Sequence, residues 1–260
     1  MPQQKGRLFG LGVGPGDPEL VTLKALRRLR EAAVIAYPAP EKGPSFARSI
    51  VAAWLDGTRP EIAIRFPMRP GPVPAVIYDK AAAGLAAELD RGRDVALLCQ
   101  GDPLFYGSFI PLFDRLAPHY PIEVVPGVSS LTAGAAAAAF PLVSRDQVLT
   151  VIPATLPEAA IASRLTAAEV AVIVKLGRHF AKVRRILAGL GALDRAIYIE
   201  HASLPNQRVA PLAEIPAAVA PYFSMALVFR VPPAAGSRRA QPGRDESDRT
   251  DGFHSYQRGA

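Results

Sequence analysis

Short apolar segments alternate with helical ones along most of the chain. The apolar segments are rich in Val, Ile and Leu, which is typical of short strands buried on both faces of a sheet. In chain order they read RLFGLGVG, AAVIAYP, EIAIRFP, DVALLCQ, IEVVPG, QVLTVIP, EVAVIVK, AIYIEHA and SMALVFR. Helical patterns separate them at about residues 19–31, 45–55, 74–91, 107–117, 129–139 and 179–190. This alternation predicts an α/β fold whose N-terminal half has a largely parallel sheet.

Two changes along the chain predict its domain organisation. The sequence VPG after the fifth apolar segment suits a junction, so we expect an N-terminal α/β domain over residues 1–126 and a C-terminal α/β domain over residues 127–231. From there on the chain is rich in Pro, Gly, Ser and charges of both signs, with little to bury. Residues 232–260 are therefore expected to form a disordered tail.

Composition and charge exclude several classes of protein. No apolar run reaches the roughly 20 residues of a membrane-spanning helix, and no signal-like segment is visible, so we expect a cytoplasmic protein that does not bind membranes. Cys99 is the only cysteine, so neither an intramolecular disulfide nor a metal site is expected. The 30 Lys and Arg residues exceed the 23 Asp and Glu residues by seven. Because they are scattered and no nucleic-acid motif accompanies them, we favour a small anionic substrate over nucleic acid.

The first loop with candidate chemistry is GLGVGPGDPEL, where glycine occupies every second position from 10 to 16. Asp17 and Pro18 suit the N-cap and first position of the next helix. The spacing fits a dinucleotide-binding turn poorly, because that turn needs G-x-G-x-x-G with its last glycine inside a helix. The remaining interpretations are a plain turn and a loop that lets another ligand approach the backbone.

Two further loops follow predicted strands, at the sheet edge where open α/β proteins bind ligands. In QGDPLFYGSF, Asp102 can accept hydrogen bonds from a ligand or can cap the next helix. In VPGVSSLTAG, Ser129 and Ser130 open a helix rich in small residues. That helix start suits a polar ligand, but an ordinary capped helix explains it as well.

Taken together, these loops resemble the motifs of the tetrapyrrole methylases, the S-adenosylmethionine-dependent enzymes of corrin and sirohaem synthesis. The similarity continues in VIVKLGRH at 172–179 and YIEHASLPNQ at 198–207 and covers nearly everything before the tail. The first loop, the sequence GDPLFYGSF and the sequence FPM at 66–68 resemble one branch in particular, which methylates the C-20 meso carbon of precorrin-2.

The resemblance implies a tetrapyrrole methylase-like fold of two α/β domains with S-adenosylmethionine in the cleft between them, a tetrapyrrole substrate and a homodimer. Carried over by position, it implies cofactor contacts at Pro15, Gly101, Asp102, Pro103, Ser130, Leu131, Leu176 and Ala202. Because such a substrate carries many carboxylates, we expect it to contact Tyr106, Arg65, Arg69, Arg145, Lys175 and Arg178.

The implied reaction, displacement of a methyl group from a sulfonium, depends on positioning and requires neither a nucleophilic side chain nor a metal. No catalytic residue is assigned. The proton lost from the methylated carbon has four candidate acceptors besides water: Tyr106, His179, Glu200 and His201. The open alternatives are a methylase of the cobalt-containing substrate cobalt-factor II, another methylase of this architecture (including diphthine and ribosomal-RNA methylases), a nucleotide-binding dehydrogenase and a non-catalytic RNA-binding protein.

Overall fold

A computed structural model describes residues 4–67, 71–216 and 220–231 and contains two five-stranded sheets. The first sheet comprises β1 (Leu8–Gly12), β2 (Val34–Pro40), β3 (Glu61–Phe66), β4 (Val95–Cys99) and β5 (Ile122–Val125). The second comprises β6 (Leu149–Pro153), β7 (Val170–Val174), β8 (Ala196–Glu200), β9 (Arg208–Pro211) and β10 (Ser224–Phe229). The helices are α1 (Leu23–Glu31), α2 (Phe46–Ile50), α3 (Ala75–Asp90), α4 (Ile110–Leu116), α5 (Ser130–Ala137), α6 (Glu158–Ala167) and α7 (Phe180–Gly189). The predicted tail and Arg69 lie outside the described residues.

The first sheet is parallel throughout, with strand order β3-β2-β4-β1-β5. Helices α1 and α2 bury Leu29 and Ile50 on one face, and α3 and α4 bury Leu85 and Leu112 on the other. The chain leaves β1 toward β2 on one side and leaves β4 toward β5 on the opposite side. This reversal opens a crevice beyond the carboxyl ends of β1 and β4, the usual ligand position in such sheets.

The second sheet is mixed, with strand order β6-β7-β10-β8-β9. Strands β6 and β7 are parallel, whereas β10 runs antiparallel to both of its neighbours, β7 and β8. The first residues of β10 therefore lie at the same edge as the last residues of β7 and β8. Helices α6 and α7 cover one face and α5 covers the other. The prediction of two α/β domains is confirmed.

The element boundaries differ from the sequence prediction at several points. A 3-10 turn over Pro18–Leu20, capped by the Asp17 carboxylate, precedes α1, so the predicted helix at 19–31 is divided. The predicted helix at 45–55 ends at Ile50 and continues as a second 3-10 turn. Helix α6 and strand β9 were not predicted; β9 has four residues and pairs only with β8, so it has no buried apolar pattern. In the described ranges, no helix is long and apolar enough to cross a membrane.

Candidate active site

Three loops meet backbone to backbone at the carboxyl edge of the first sheet. Gly14 and Gly101 form an isolated β-bridge, in which the Gly101 amide donates to the Gly14 carbonyl at 2.7 Å. A Cβ at Gly127 would lie 2.1 Å from the Gly101 carbonyl oxygen, and one at Gly12 would lie 2.4 Å from the Gly127 amide nitrogen. We call Gly12, Gly101 and Gly127 the glycine floor. Close approach of main chains requires glycine at 12 and 127, whereas the positive φ of 66° favours it at 101, so none of the three requires a pyrophosphate.

The rest of the first loop faces the C-terminal domain. The Asp17 amide donates to Ser203 Oγ at 3.1 Å, and a Cβ at Gly16 would lie 2.6 Å from the Leu204 side chain. The glycines are followed by a short 3-10 turn, and α1 begins only at Leu23. Because no α-helix N-terminus directly follows the glycines, the dehydrogenase interpretation loses the feature that would bind a pyrophosphate.

A cavity that is open to solvent lies above the glycine floor between the two domains. The first domain contributes Pro15, Gln100, Gly101, Asp102, Phe105 and Tyr106. The second contributes Ser129, Ser130, Leu131, Val174, Lys175, Ile199, His201, Ala202, Tyr222, Phe223, Ser224 and Met225. These residues lie in the loops after β1, β4 and β5, at or after the ends of β7 and β8, and before or at the start of β10. The antiparallel placement of β10 thus brings its first residues to the same cavity.

Asp102 uses both carboxylate oxygens on main-chain amides. Oδ1 accepts from Leu104 at 2.9 Å, and Oδ2 accepts from Gly127 at 3.1 Å. The side chain thus joins the loop after β4 to the segment between β5 and α5. Asp102 therefore does not cap the next helix, because α4 begins at Ile110 with Phe109 as its N-cap and has no side-chain cap. Its carboxylate places a negative charge on the cavity wall.

Three non-glycine residues on the cavity wall adopt left-handed backbone conformations: Tyr106 at φ 55°, Lys175 at 59° and His201 at 51°. Such conformations cost free energy and are held by the surrounding structure, commonly at functional sites. The Lys175 ammonium lies 5.1 Å from the centroid of the Tyr106 ring, so a cation–π contact crosses the cleft between the domains.

Aromatic rings flank the cavity on both domains. Phe105 and Tyr106 form an edge-to-face pair with centroids 4.9 Å apart, and both are substantially exposed. On the opposite side, Phe223 contacts Tyr222 at 5.1 Å and Phe46 of α2 at 4.6 Å. These faces offer apolar surface at the mouth of the cavity, which suits a flat, conjugated ligand.

The structure brings together eight of the residues proposed from sequence. Six are cofactor candidates and two are substrate candidates: Pro15, Gly101, Asp102, Ser130, Leu131, Ala202, Tyr106 and Lys175. Pro103 is buried beside Asp102. Leu176 is fully buried in the core of the C-terminal domain and does not line the cavity. Arg65 donates to the carbonyls of Pro40 and Glu41, and neither it nor Arg145 nor Arg178 lines the cavity.

Of the four candidate proton acceptors, Tyr106 and His201 line the cavity, whereas Glu200 and His179 do not. Glu200 accepts a hydrogen bond from the Tyr198 hydroxyl at 2.5 Å. Partial burial, with Lys182 and Arg178 nearby, lowers the pKa of His179. Burial raises the pKa of the Cys99 thiol, which therefore stays protonated and is not a nucleophile at neutral pH.

Sequence reasoning missed the segment before and into β10, which contributes Tyr222, Phe223, Ser224 and Met225 to the wall. No local motif marks it. Its position follows from the antiparallel insertion of β10 between β7 and β8, a long-range pairing that the apolar pattern of the strand does not encode.

The donor set fits a small organic cofactor. The apolar side chains of Leu131, Ile199 and Met225 can cover an adenosine-type ring, and a Cβ at Gly101, whose φ is 66°, would meet nothing within 4 Å. The Asp102 carboxylate and the aromatic rings can accommodate a sulfonium charge. Among residues 4–67, 71–216 and 220–231, no cluster of three or more His, Cys, Asp or Glu could hold a metal ion.

Comparison with curated proteins agrees with this geometry. A cobalamin biosynthesis protein CobIJ from Mycobacterium tuberculosis is 44% identical over 245 residues, 91% of this chain and 47% of that protein. A precorrin-2 C(20)-methyltransferase from Sinorhizobium sp is 42% identical over 232 residues, 86% of this chain and 95% of the relative. A cobalt-precorrin-2 C(20)-methyltransferase from Salmonella typhimurium is 36% identical over 206 residues, 78% and 86% of the respective chains. This chain spans about half the length of the mycobacterial relative.

A solved structure shares the architecture. The uroporphyrin-III C-methyl transferase from Thermus thermophilus, complexed with S-adenosyl homocysteine, superposes with a TM-score of 0.64 at 25% identity, covering 86% of this chain and 98% of that one. The family model for tetrapyrrole (corrin/porphyrin) methylases matches residues 7–216. This match and the relatives above confirm the resemblance carried by the loops: the chain belongs to the tetrapyrrole (corrin/porphyrin) methylase family.

Proposed function

We propose that this chain is an S-adenosylmethionine-dependent C-methyltransferase that methylates the C-20 meso carbon of precorrin-2 to give precorrin-3A in cobalamin biosynthesis. The names of the Sinorhizobium and Salmonella relatives support the position of methylation. The observation that carries the proposal is the cavity itself, whose walls come from both domains and combine apolar, aromatic and charged groups.

In the proposed reaction, the bound cofactor supplies a methyl group made electrophilic by the sulfonium. Eight residues are proposed to hold this cofactor: Pro15, Gly101, Asp102, Pro103, Ser130, Leu131, Leu176 and Ala202. All of them except Pro103 and Leu176 line the cavity, which supports the assignment. Leu131, Ile199 and Met225 give the cofactor an apolar surface to lie against. Holding the two reactants in line contributes on the order of 7–11 kcal/mol, so the reaction needs no metal and no covalent intermediate.

The substrate's carboxylates are proposed to meet Lys175, with Tyr106 beside it, at the aromatic mouth. Arg65, Arg69, Arg145 and Arg178 remain proposed contacts for the outer carboxylates of the macrocycle. Replacing Lys175 by Met is expected to raise KM for the tetrapyrrole while leaving the Kd of S-adenosylhomocysteine unchanged. Lys80→Met, an exposed change in α3 outside the cavity, is the matched control. Equal KM values for the two variants would remove Lys175 from the substrate surface.

The second candidate substrate is the cobalt-containing form, cobalt-factor II or cobalt-precorrin-2. The Salmonella relative supports it by name, but its lower identity and shorter coverage favour the metal-free substrate. We further propose a cytoplasmic homodimer, as the family resemblance implies. Light scattering of the purified chain at several concentrations tests the dimer.

The deciding experiment uses three parallel reactions of the purified chain with isotopically methyl-labelled S-adenosylmethionine. Each reaction contains one substrate: precorrin-2, cobalt-factor II or uroporphyrinogen III. One labelled methyl group at C-20 of precorrin-2, located by NMR, is the expected result. Preferential turnover of cobalt-factor II would select the second candidate. Methylation of uroporphyrinogen III alone, or of none of the three, would contradict the proposal.

A further inference from the structure

His201 is held rigidly on the cavity wall. Its amide donates to the Phe223 carbonyl at 2.8 Å, and its own carbonyl accepts from the Leu204 amide at 2.9 Å. Its backbone is left-handed, at φ 51°, and its ring lies edge-to-face with Phe223 at 6.5 Å. Main-chain bonds on both sides therefore fix the position from which the imidazole projects.

The protonation of this ring follows from its partner. The Asn206 side-chain nitrogen lies 3.1 Å from His201 Nδ1. With the Asn206 amide in this orientation its nitrogen donates and Nδ1 accepts, which assigns the proton of the neutral imidazole to Nε2. Within the described part of the chain, Nε2 has no hydrogen-bond partner. The cavity wall thus carries an N–H group available to a ligand.

We infer that His201 donates a hydrogen bond through Nε2 to a carboxylate oxygen of the bound ligand, and that Asn206 is the positioning residue that fixes its tautomer. The inference rests on the proposed function, since both the amino-acid end of the cofactor and the side chains of the macrocycle carry carboxylates. It removes His201 from the candidate proton acceptors, because the nitrogen without a protein partner already holds a proton.

The tautomer can be measured on the ligand-free enzyme, independently of any activity. Ring ¹⁵N and ¹³Cδ2 chemical shifts of the histidines are expected to show His201 as the Nε2–H form, with its signals identified by their loss in His201→Gln. The chain has only four histidines, so the spectrum is simple. Asn206→Asp is expected to move the proton to Nδ1 or to give imidazolium, because a carboxylate only accepts. An Nδ1–H form in the wild type would overturn the inference.

Two substitutions of His201 distinguish a hydrogen-bond donor from a general base. In His201→Gln the amide nitrogen reaches about as far as Nε2 but cannot take up a proton, whereas in His201→Asn it reaches only as far as Nδ1. Asn also tolerates the left-handed backbone, so this variant is expected to fold. A donor role predicts that Gln binds the ligand more tightly than Asn does, with binding about 10- to 100-fold weaker than in the wild type for Asn. Equal loss of kcat in both, with ligand binding intact, would establish a base and overturn the inference.

The source of the carboxylate is resolved by the choice of ligand. If the carboxylate belongs to the cofactor, His201→Asn raises the Kd of S-adenosylhomocysteine but not that of 5′-methylthioadenosine, which lacks the amino-acid end. If it belongs to the substrate, only KM for precorrin-2 rises. Unchanged values in all three measurements would overturn the inference. His119→Gln, exposed before β5 at the opposite edge of the first sheet, is the control. Failure of the wild type to bind S-adenosylhomocysteine would contradict the proposed function, whereas the tautomer measurement would stand.

Discussion

At the scale of single residues, the glycine floor explains why the first loop contains more glycine than a turn requires. Gly12 and Gly127 have no space for a Cβ, because the main chains of neighbouring loops occupy it. The spacing of the glycines was enough to disfavour a dinucleotide site. Their actual neighbours could not be deduced from the sequence, because they lie in other loops of the chain: Gly127 meets both Gly101 and Gly12.

Gly127→Ala is expected to lower the free energy of unfolding by about 1–3 kcal/mol, because the new methyl group overlaps the Gly101 carbonyl. Gly84→Ala is the matched control. Gly84 is exposed in α3, and a Cβ added there would meet nothing within 4 Å, so this change is expected to raise the free energy of unfolding by about 0.5–1 kcal/mol. Urea denaturation measures both. A Gly127→Ala variant as stable as the wild type would mean that the loops are not in contact.

The cavity includes some of the proposed site residues and not others. Pro15, Asp102 and Ser130 lie in motif loops and line the cavity. Of the basic residues proposed from charge and approximate position at strand ends or loops, Lys175 lines the cavity, whereas Arg65, Arg145 and Arg178 do not. A strand end indicates the correct edge of a sheet but not the direction in which a long side chain extends.

At the scale of elements, an ion pair attaches the short helix α2 to the first sheet. Arg48 donates to both Glu61 oxygens, at 2.6 and 2.8 Å, and the Tyr37 hydroxyl donates to the same carboxylate at 2.8 Å. The first residue of α2, Phe46, stacks on Phe223 of the cavity wall. The ion pair therefore supports one side of the site through a helix of only five residues.

Glu61→Gln is expected to lower the free energy of unfolding by about 1 kcal/mol at neutral pH, because it removes a partly exposed ion pair in which Arg48 makes two hydrogen bonds. Hydrogen bonds from Arg48 hold the pKa of Glu61 below its usual value. The contribution is therefore complete above the unfolded-state pKa of about 4.3 and is lost as the pH falls through the lower folded pKa.

Urea unfolding of the wild type and the variant between neutral and strongly acidic pH tests this expectation. The stability difference should be constant near neutrality and should vanish in acid. Asp79→Asn removes a single-point contact with Arg115 in which Asp79 is 60% exposed, and should have little effect at any pH. A Glu61→Gln difference that persists in strong acid would show that the carboxylate charge is not its cause.

Most strands were predictable, because each is a compact apolar run. The breaks within the predicted helices at 19–31 and 45–55 were not predictable. In the first, local capping by Asp17 and Thr22 competes with the helical pattern. In the second, the 3-10 turn after Ile50 has no side-chain cap that the sequence could show. Strand β9 was missed because its pairing to a sheet edge leaves most of its residues partly exposed. Whether an element could be predicted thus depended on how much of it is buried, whereas its exact ends depended on local hydrogen bonds.

At the scale of the whole molecule, the site exists only because two sheets present their loop-bearing edges to each other. The Asp17–Ser203 hydrogen bond, the Gly16–Leu204 contact and the Lys175–Tyr106 pair all join the two domains around the cavity. The α/β class and two domains followed from the sequence. The mixed order of the second sheet did not, because strand pairing between distant segments has no local signal.

Ligand binding is expected to stabilise both domains together. S-adenosylhomocysteine at about 100 times its Kd should raise the free energy of unfolding by about 2.7 kcal/mol. Hydrogen exchange should show protection in the loops after β1 and β4 and equally in those after β7 and β8. Protection confined to one domain would show that the ligand does not bridge the cleft.

The hydrogen bonds of Asp102 have a consequence for how substrate choice can change in such a protein. The Asp102 carboxylate accepts hydrogen bonds from main-chain amides, and the residues around it in the glycine floor have no side chains. Mutations there could therefore hardly alter which substrate is bound. Diversification must therefore act on the rim, at Tyr106, Lys175 and Tyr222. We expect enzymes that act on different macrocycles to share the residues of the glycine floor and to differ in the residues at the entrance of the cavity.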